Sequence, residues 1–185
     1  MLKTITEILK NLFPALHIGD ESTVKSAGTQ TIVQSKQKPA VKWINDDQYR
    51  NYLQSLKQER ITPEAIRYLE PNEVFVFGTD IEGTHSWGAA RCAVANFGAI
   101  VGKAEGPQGQ CYAIPTAIPE PSDIKPYIDR FVLYVRKHPE KLFLVLPVGC
   151  GAAGHTPEEM APLFIEASDV KNICLPELFW MVLNQ

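Results

Sequence analysis

The sequence predicts an α/β protein, a mostly parallel sheet held between helical layers and preceded by an N-terminal helical extension. Residues 74–77, 111–114 and 142–146 are short unbroken apolar runs, the pattern of strands buried on both faces. Helical apolar spacing fills the segments between them, so strands and helices alternate as in βαβ units. Of 185 residues, 45% are hydrophobic and 21% charged, which suits a globular chain able to bury its own core.

Taken in order, Leu2, Ile5, Leu9, Leu12, Phe13 and Leu16 recur at helical spacing and predict an amphipathic helix that ends near Pro14. Glu7 and Lys10 interrupt the apolar run that a signal peptide requires. Residues 20–39 are polar and read as a surface loop or linker, with short strands expected at 31–34 and 40–45. Asp46 and Asp47 stand where helix caps stand, and Tyr49, Tyr52, Leu53 and Leu56 give the next helix its apolar stripe. Thr62 followed by Pro63 is a start signal for a short helix to about Leu69. Residues 1–70 are thus expected to form the extension and residues 71–185 the α/β domain.

Within that domain the first strand ends on Gly78, and a helix is expected over 86–97. The second strand stops at Pro115, and Ser122 and Asp123 open a long helix ending near His138. The third strand stops at Pro147. Thr156, Pro157 and Glu159 then spell a capping box with proline at the first helical position. A last strand is expected at 172–175, and residues 178–183 read as a helix or an edge segment.

Composition removes several functional classes. Eighteen basic against 21 acidic residues leave a net charge of −3, without the basic excess of a broad nucleic-acid surface. No run of about 18 apolar residues occurs, so no membrane span is expected. Four cysteines, Cys92, Cys111, Cys150 and Cys174, form no CxxC pair, so neither zinc nor any other cofactor is expected. Their apolar settings read as free thiols of a reducing compartment, and the expected location is the cytoplasm.

Ligands of open parallel sheets gather beyond the carboxyl ends of the strands. Three loops lie there: 78–88, 115–121 and 147–156. In the first, Gly78, Gly83 and Gly88 permit close backbone approach, and Ala89 leaves room at the start of a helix whose free N–H groups suit phosphate. The same glycines also suit a tight strand-to-helix turn. Asp80 reads as a group for a ribose hydroxyl, an adenine amino group or a water, or as an Asx-turn residue. His85 reads as a general acid–base or as a loop cap, and Trp87 as a stacking partner or a packed helix-start residue. Glu105, in a loop expected over 103–109, and Arg91 are candidates for the pocket wall and a phosphate, or else solvated charges. In the third loop Gly149, Cys150, Gly151, Ala152 and Gly154 form a second candidate phosphate cradle. No neighbouring base activates Cys150, which reads as an inert thiol.

The order GTDIEGTHSWGAA, FGA, YAIPT, LPVGCGAAG and NICLP, over residues 73–176, resembles the macro domain superfamily. It is closest to the small branch that includes the terminal ADP-ribose glycohydrolase type, and similar to bacterial and phage proteins with a VFGSN–GxHGAGAA–FGA–YAIPT–GCGxAG pattern. The resemblance implies a three-layer α/β/α macro-like fold with a cleft for ADP-ribose or a related nucleotide metabolite, free or carried on an ADP-ribosylated macromolecule. It places Gly78, Thr79, Asp80, Gly83, His85, Gly88 and Ala89 in the first loop, Thr116 at the cleft mouth, and Gly149, Cys150, Gly151, Ala152 and Gly154 at the diphosphate. The glycohydrolase type carries a catalytic aspartate where this chain has Ala153, and its lysine has no counterpart here. The resemblance therefore implies binding. Hydrolysis of an ADP-ribosyl linkage would go through a water held by phosphate and Asp80, with His85 assisting. Two alternatives stand beside it: a Rossmann-like nucleotide or nucleoside hydrolase, and a protein-interaction module whose cleft has degenerated.

Overall fold

A computed structural model describes residues 46–185, which lie in a single compact unit. The helix expected at 2–16 and the strands expected at 31–34 and 40–45 fall outside the described residues.

The architecture is mixed α/β: a five-stranded, mostly parallel sheet with helices on both faces. The elements run α1 (Asp46–Gln58), β1 (Glu73–Thr79), α2 (Gly88–Phe97), β2 (Gly106–Gln108), β3 (Cys111–Pro115), α3 (Pro121–Arg136), β4 (Leu142–Val145), α4 (Pro157–Met160), a 3₁₀ helix (Ala161–Ala167), β5 (Ile173–Cys174) and α5 (Glu177–Leu183). Side chains alternate across β1. Val74 and Val76 join the larger core with Ile128, Phe131, Phe143, Phe164 and Phe179. Phe75 and Phe77 face Ala90, Ala93 and Phe97 of α2 on the other side. Both faces are covered, which is why residues 74–77 are apolar without alternation.

The strand order is β2-β3-β1-β4-β5. β1 pairs in parallel with β3 on one side and β4 on the other, and β4 pairs in parallel with β5. From β1 the chain moves to the β3 side; from β4 it moves outward to β5. The switch point of the sheet therefore lies between the carboxyl ends of β1 and β4, the place where ligands of open α/β sheets gather.

Three local expectations are corrected. No helix forms at 62–69, because Thr62 is engaged elsewhere: its hydroxyl donates to the Cys174 carbonyl at 2.9 Å and its N–H to Leu175 at 2.9 Å. Ile61 forms a parallel bridge with Leu175, so this segment extends the β5 edge of the sheet. Residues 106–108, expected to be loop, pair antiparallel with β3 as a short edge strand. The helix opened by Thr156 runs for one α-turn and then tightens into the 3₁₀ segment. Pro162 lacks the N–H an α-helix needs and crowds the carbonyl four residues back. The undecided stretch at 178–183 is helical, within α5.

Leu56 and Ile61, on the extension side of the boundary expected at residue 70, lie in the same core as the strands. Arg60 bolts this region to the β5 edge. Its guanidinium donates to the carbonyls of Ala167 at 2.8 Å, Ser168 at 2.7 Å and Ile173 at 3.1 Å. It also lies 4.9 Å over the Trp180 ring, whose Nε1–H donates to the Arg60 carbonyl at 2.8 Å. Among the described residues no helix is long and apolar enough to cross a membrane.

Candidate functional site

At the carboxyl end of β1, Gly78 sits where the three loops meet. A Cβ there would collide with the Thr116 hydroxyl, and would stand 3.4 Å from the Gly149 amide and 3.5 Å from the Val148 Cα. Glycine is required because loops 115–121 and 147–156 press against the strand end together. Thr79 holds the middle loop: its carbonyl accepts from the N–H groups of Thr116 at 2.8 Å and Ala117 at 3.1 Å. The loops that topology assigned to one place are thus in contact.

The first loop is over-determined by hydrogen bonds. Asp80 accepts from the Thr84 N–H at 2.9 Å and from the Thr84 hydroxyl, and its carbonyl accepts from the Gly83 N–H at 3.3 Å. Partial burial alone would raise the Asp80 carboxyl. The bonds from Thr84 and from the amides of Gly83 and Glu82 outweigh it and hold the pKa below its ordinary value. Gly83 adopts φ +68°, and a Cβ would strike the Lys103–Ala104 backbone at 2.7–2.9 Å. Its carbonyl accepts from the Gly102 N–H at 2.8 Å.

His85 is 3% exposed, with φ +52°. Its Nε2 donates to the Lys103 carbonyl at 3.2 Å, and its Nδ1 pairs with the Thr79 hydroxyl at 2.9 Å. The ring also packs edge-on against Phe77. Both nitrogens are spent on pinning the loop to β1 and to the 98–105 turn. Asp80 and His85 are brought into one loop, Asp80 satisfied from within it by Thr84 and Gly83, His85 by Thr79 and by Lys103 outside it. Trp87, by contrast, is 77% exposed at the start of α2 and fills no cleft. No side chain caps α2, and the amides of Gly88, Ala89 and Ala90 donate to no described residue. Glu105 forms a two-pronged ion pair with Arg130 on α3, at 2.6 and 3.1 Å.

The third loop is an arch. At its base Gly149 has φ +78°, and a Cβ would meet the Met160 thioether at 2.8–3.1 Å. The Gly149 carbonyl accepts the His155 N–H at 3.1 Å and closes the arch. Across its top Gly151, Ala152 and Gly154 are exposed, and the amides of Gly151, Ala152 and Ala153 donate to no described residue. A side chain at Gly151 would meet open space. Cys150 is half-buried beside the arch. Burial, with Glu158 and Glu159 nearby, pushes its thiol up to about 11, so it stays protonated near neutrality and is a poor nucleophile.

Sequence reasoning passed over His155, whose Nε2 lies 2.8 Å from the Ile118 carbonyl and ties the arch to loop 115–121. Its one sequence signal is position: it directly precedes the Thr156 cap. That cap forms as the motif requires, with Thr156 Oγ1 accepting from the Glu159 N–H at 3.3 Å and Glu159 accepting from the Thr156 N–H at 2.8 Å.

No protein-family model, no curated protein and no solved structure matches this chain.

Proposed function

We propose that this chain binds a nucleotide diphosphate of the ADP-ribose type in the crevice between β1 and β4, as a macro-like domain would. The observation that carries the reading is the pair of backbone-donor sets beside that switch point. One is the uncapped start of α2 at Gly88–Ala90; the other is the arch at Gly151–Ala153. Backbone N–H groups and a helix dipole bind phosphate without net positive charge, which suits a chain of net charge −3. The small residues of the arch let a ligand reach the backbone. Because Asp80 and His85 spend their hydrogen-bonding groups on holding the loop in place, the reading is a binder, with no chemistry assigned to either.

Calorimetric titration with ADP-ribose tests it, with AMP, NAD and ribose 5-phosphate as controls. Micromolar affinity is expected for ADP-ribose. Gly151→Glu, whose side chain enters open space and leaves the fold intact, is expected to abolish binding with an unchanged melting temperature. Absence of heat and of thermal stabilisation at millimolar ligand would end this reading.

A further inference from the structure

His155 belongs to neither donor set, yet its side chain is only 7% exposed. Its main chain closes the arch on Gly149, and its imidazole crosses to a residue 37 positions earlier. The carbonyl of Ile118 can only accept, so Nε2 carries the hydrogen and donates it. Loop 115–121 is otherwise anchored at its inner end, where the amides of Thr116 and Ala117 bond to Thr79. Beyond Ala117 it makes no other hydrogen bond to a neighbouring loop among the described residues. Among the described residues, the His155–Ile118 bond is thus the hydrogen bond that ties the outer part of this loop to the arch, beside the packing of the Ile118 side chain on the core. On the other side of the ring, Nδ1 faces a Glu159 oxygen at 4.0 Å, and Glu159 is already held by the capping box. The imidazole is therefore set between an α-helix start and a loop whose other ties are the Thr116 and Ala117 amides and the packing of the Ile118 side chain against the core.

We propose that His155 is the positioning residue of the crevice: through Ile118 it fixes the separation of the arch from loop 115–121, and with it the width open to a diphosphate. This rests on the proposed function above for the identity of the ligand, and on geometry alone for the latch.

Two variants separate the donor from the ring. His155→Gln keeps an N–H donor of similar reach; His155→Phe keeps an apolar ring and loses the donor. Hydrogen exchange of the ligand-free full chain is read over residues 115–121 and 149–156, beside ADP-ribose titration. Exchange in both segments is expected to rise in the Phe variant and to stay near wild type in the Gln variant. Affinity is expected to fall about tenfold or more with Phe and to be largely restored with Gln, since a part-buried carbonyl loses its partner in one and keeps it in the other. A merely space-filling ring predicts the reverse ranking, and that result, or unchanged exchange in both variants, overturns the latch. If the wild type itself binds no ADP-ribose, the functional reading fails, while the exchange comparison still decides the latch.

Discussion

Asp80 and His85 show how a residue type suggests one role and its surroundings assign another. A carboxylate and an imidazole in a glycine-rich loop are the groups acid–base chemistry uses. Here the carboxylate closes an Asx-type turn on Thr84, and the imidazole bridges Thr79 and Lys103. The Asp80 shift has a consequence for stability. Its folded pKa lies below the unfolded value, so the ionised carboxylate stabilises the native state above the ordinary aspartate pKa of about 3.9. That contribution is lost as pH falls through the lower folded value. Asp80→Asn is therefore expected to lower the urea midpoint at pH 7, and the gap from wild type should close as pH falls below about 4. A gap independent of pH would show that the amide, not the lost charge, is responsible. Asp80 and His85 were legible as loop residues; the bonds that satisfy His85 were not, because they depend on Lys103 and on the depth at which β1 buries the ring.

At the scale of elements, the apolar runs and the capping box were readable because their causes are local. β1, β3 and β4 are covered on both faces, so three or four consecutive apolar residues mark each one. Thr156 and Glu159 satisfy each other across a single turn. Elements whose reason lies elsewhere were misread: Thr62 completes the β5 edge, and 106–108 becomes a strand because β3 offers it an open side. α4 also bears on the crevice. Glu158 and Glu159 stabilise the helix start, yet they place negative charge near Cys150 of the arch, whose thiol is raised chiefly by burial and further by these two carboxylates. Glu158 is exposed and lies outside the capping box. Glu158→Gln is accordingly expected to strengthen ADP-ribose binding about two- to fivefold at low salt, with the gain fading as ionic strength shortens the Debye length. An equal gain at all salt concentrations would contradict a charge effect.

In the molecule as a whole, one buried ion pair joins α1 to the sheet. Lys57 pairs with Glu73 at the start of β1, both side chains nearly inaccessible, and the second Glu73 oxygen accepts from the Glu70 N–H at 3.1 Å. Removing one partner strands the other charge away from water. Lys57→Met is thus expected to cost about 3 kcal/mol in urea unfolding, with Lys57→Met plus Glu73→Gln recovering most of the loss. A single variant as stable as wild type would mean that α1 is held by Leu56 and its apolar neighbours alone. This pair, the Arg60 bolt and the His155 latch connect positions far apart in the chain, and none was visible in the sequence. What the sequence determined by itself was the set of local solutions: which runs are buried strands, where glycine and proline end them, which helix caps itself, and which loops carry small residues. Those follow from burial, backbone sterics and hydrogen bonds within a few residues. The tertiary structure alone decided the strand order, the switch point between β1 and β4, and the use of His85 and His155 as loop ties. Each of these is set by a partner 6 to 37 residues away, or by a strand on the far side of the sheet, and no local pattern encodes such a partner.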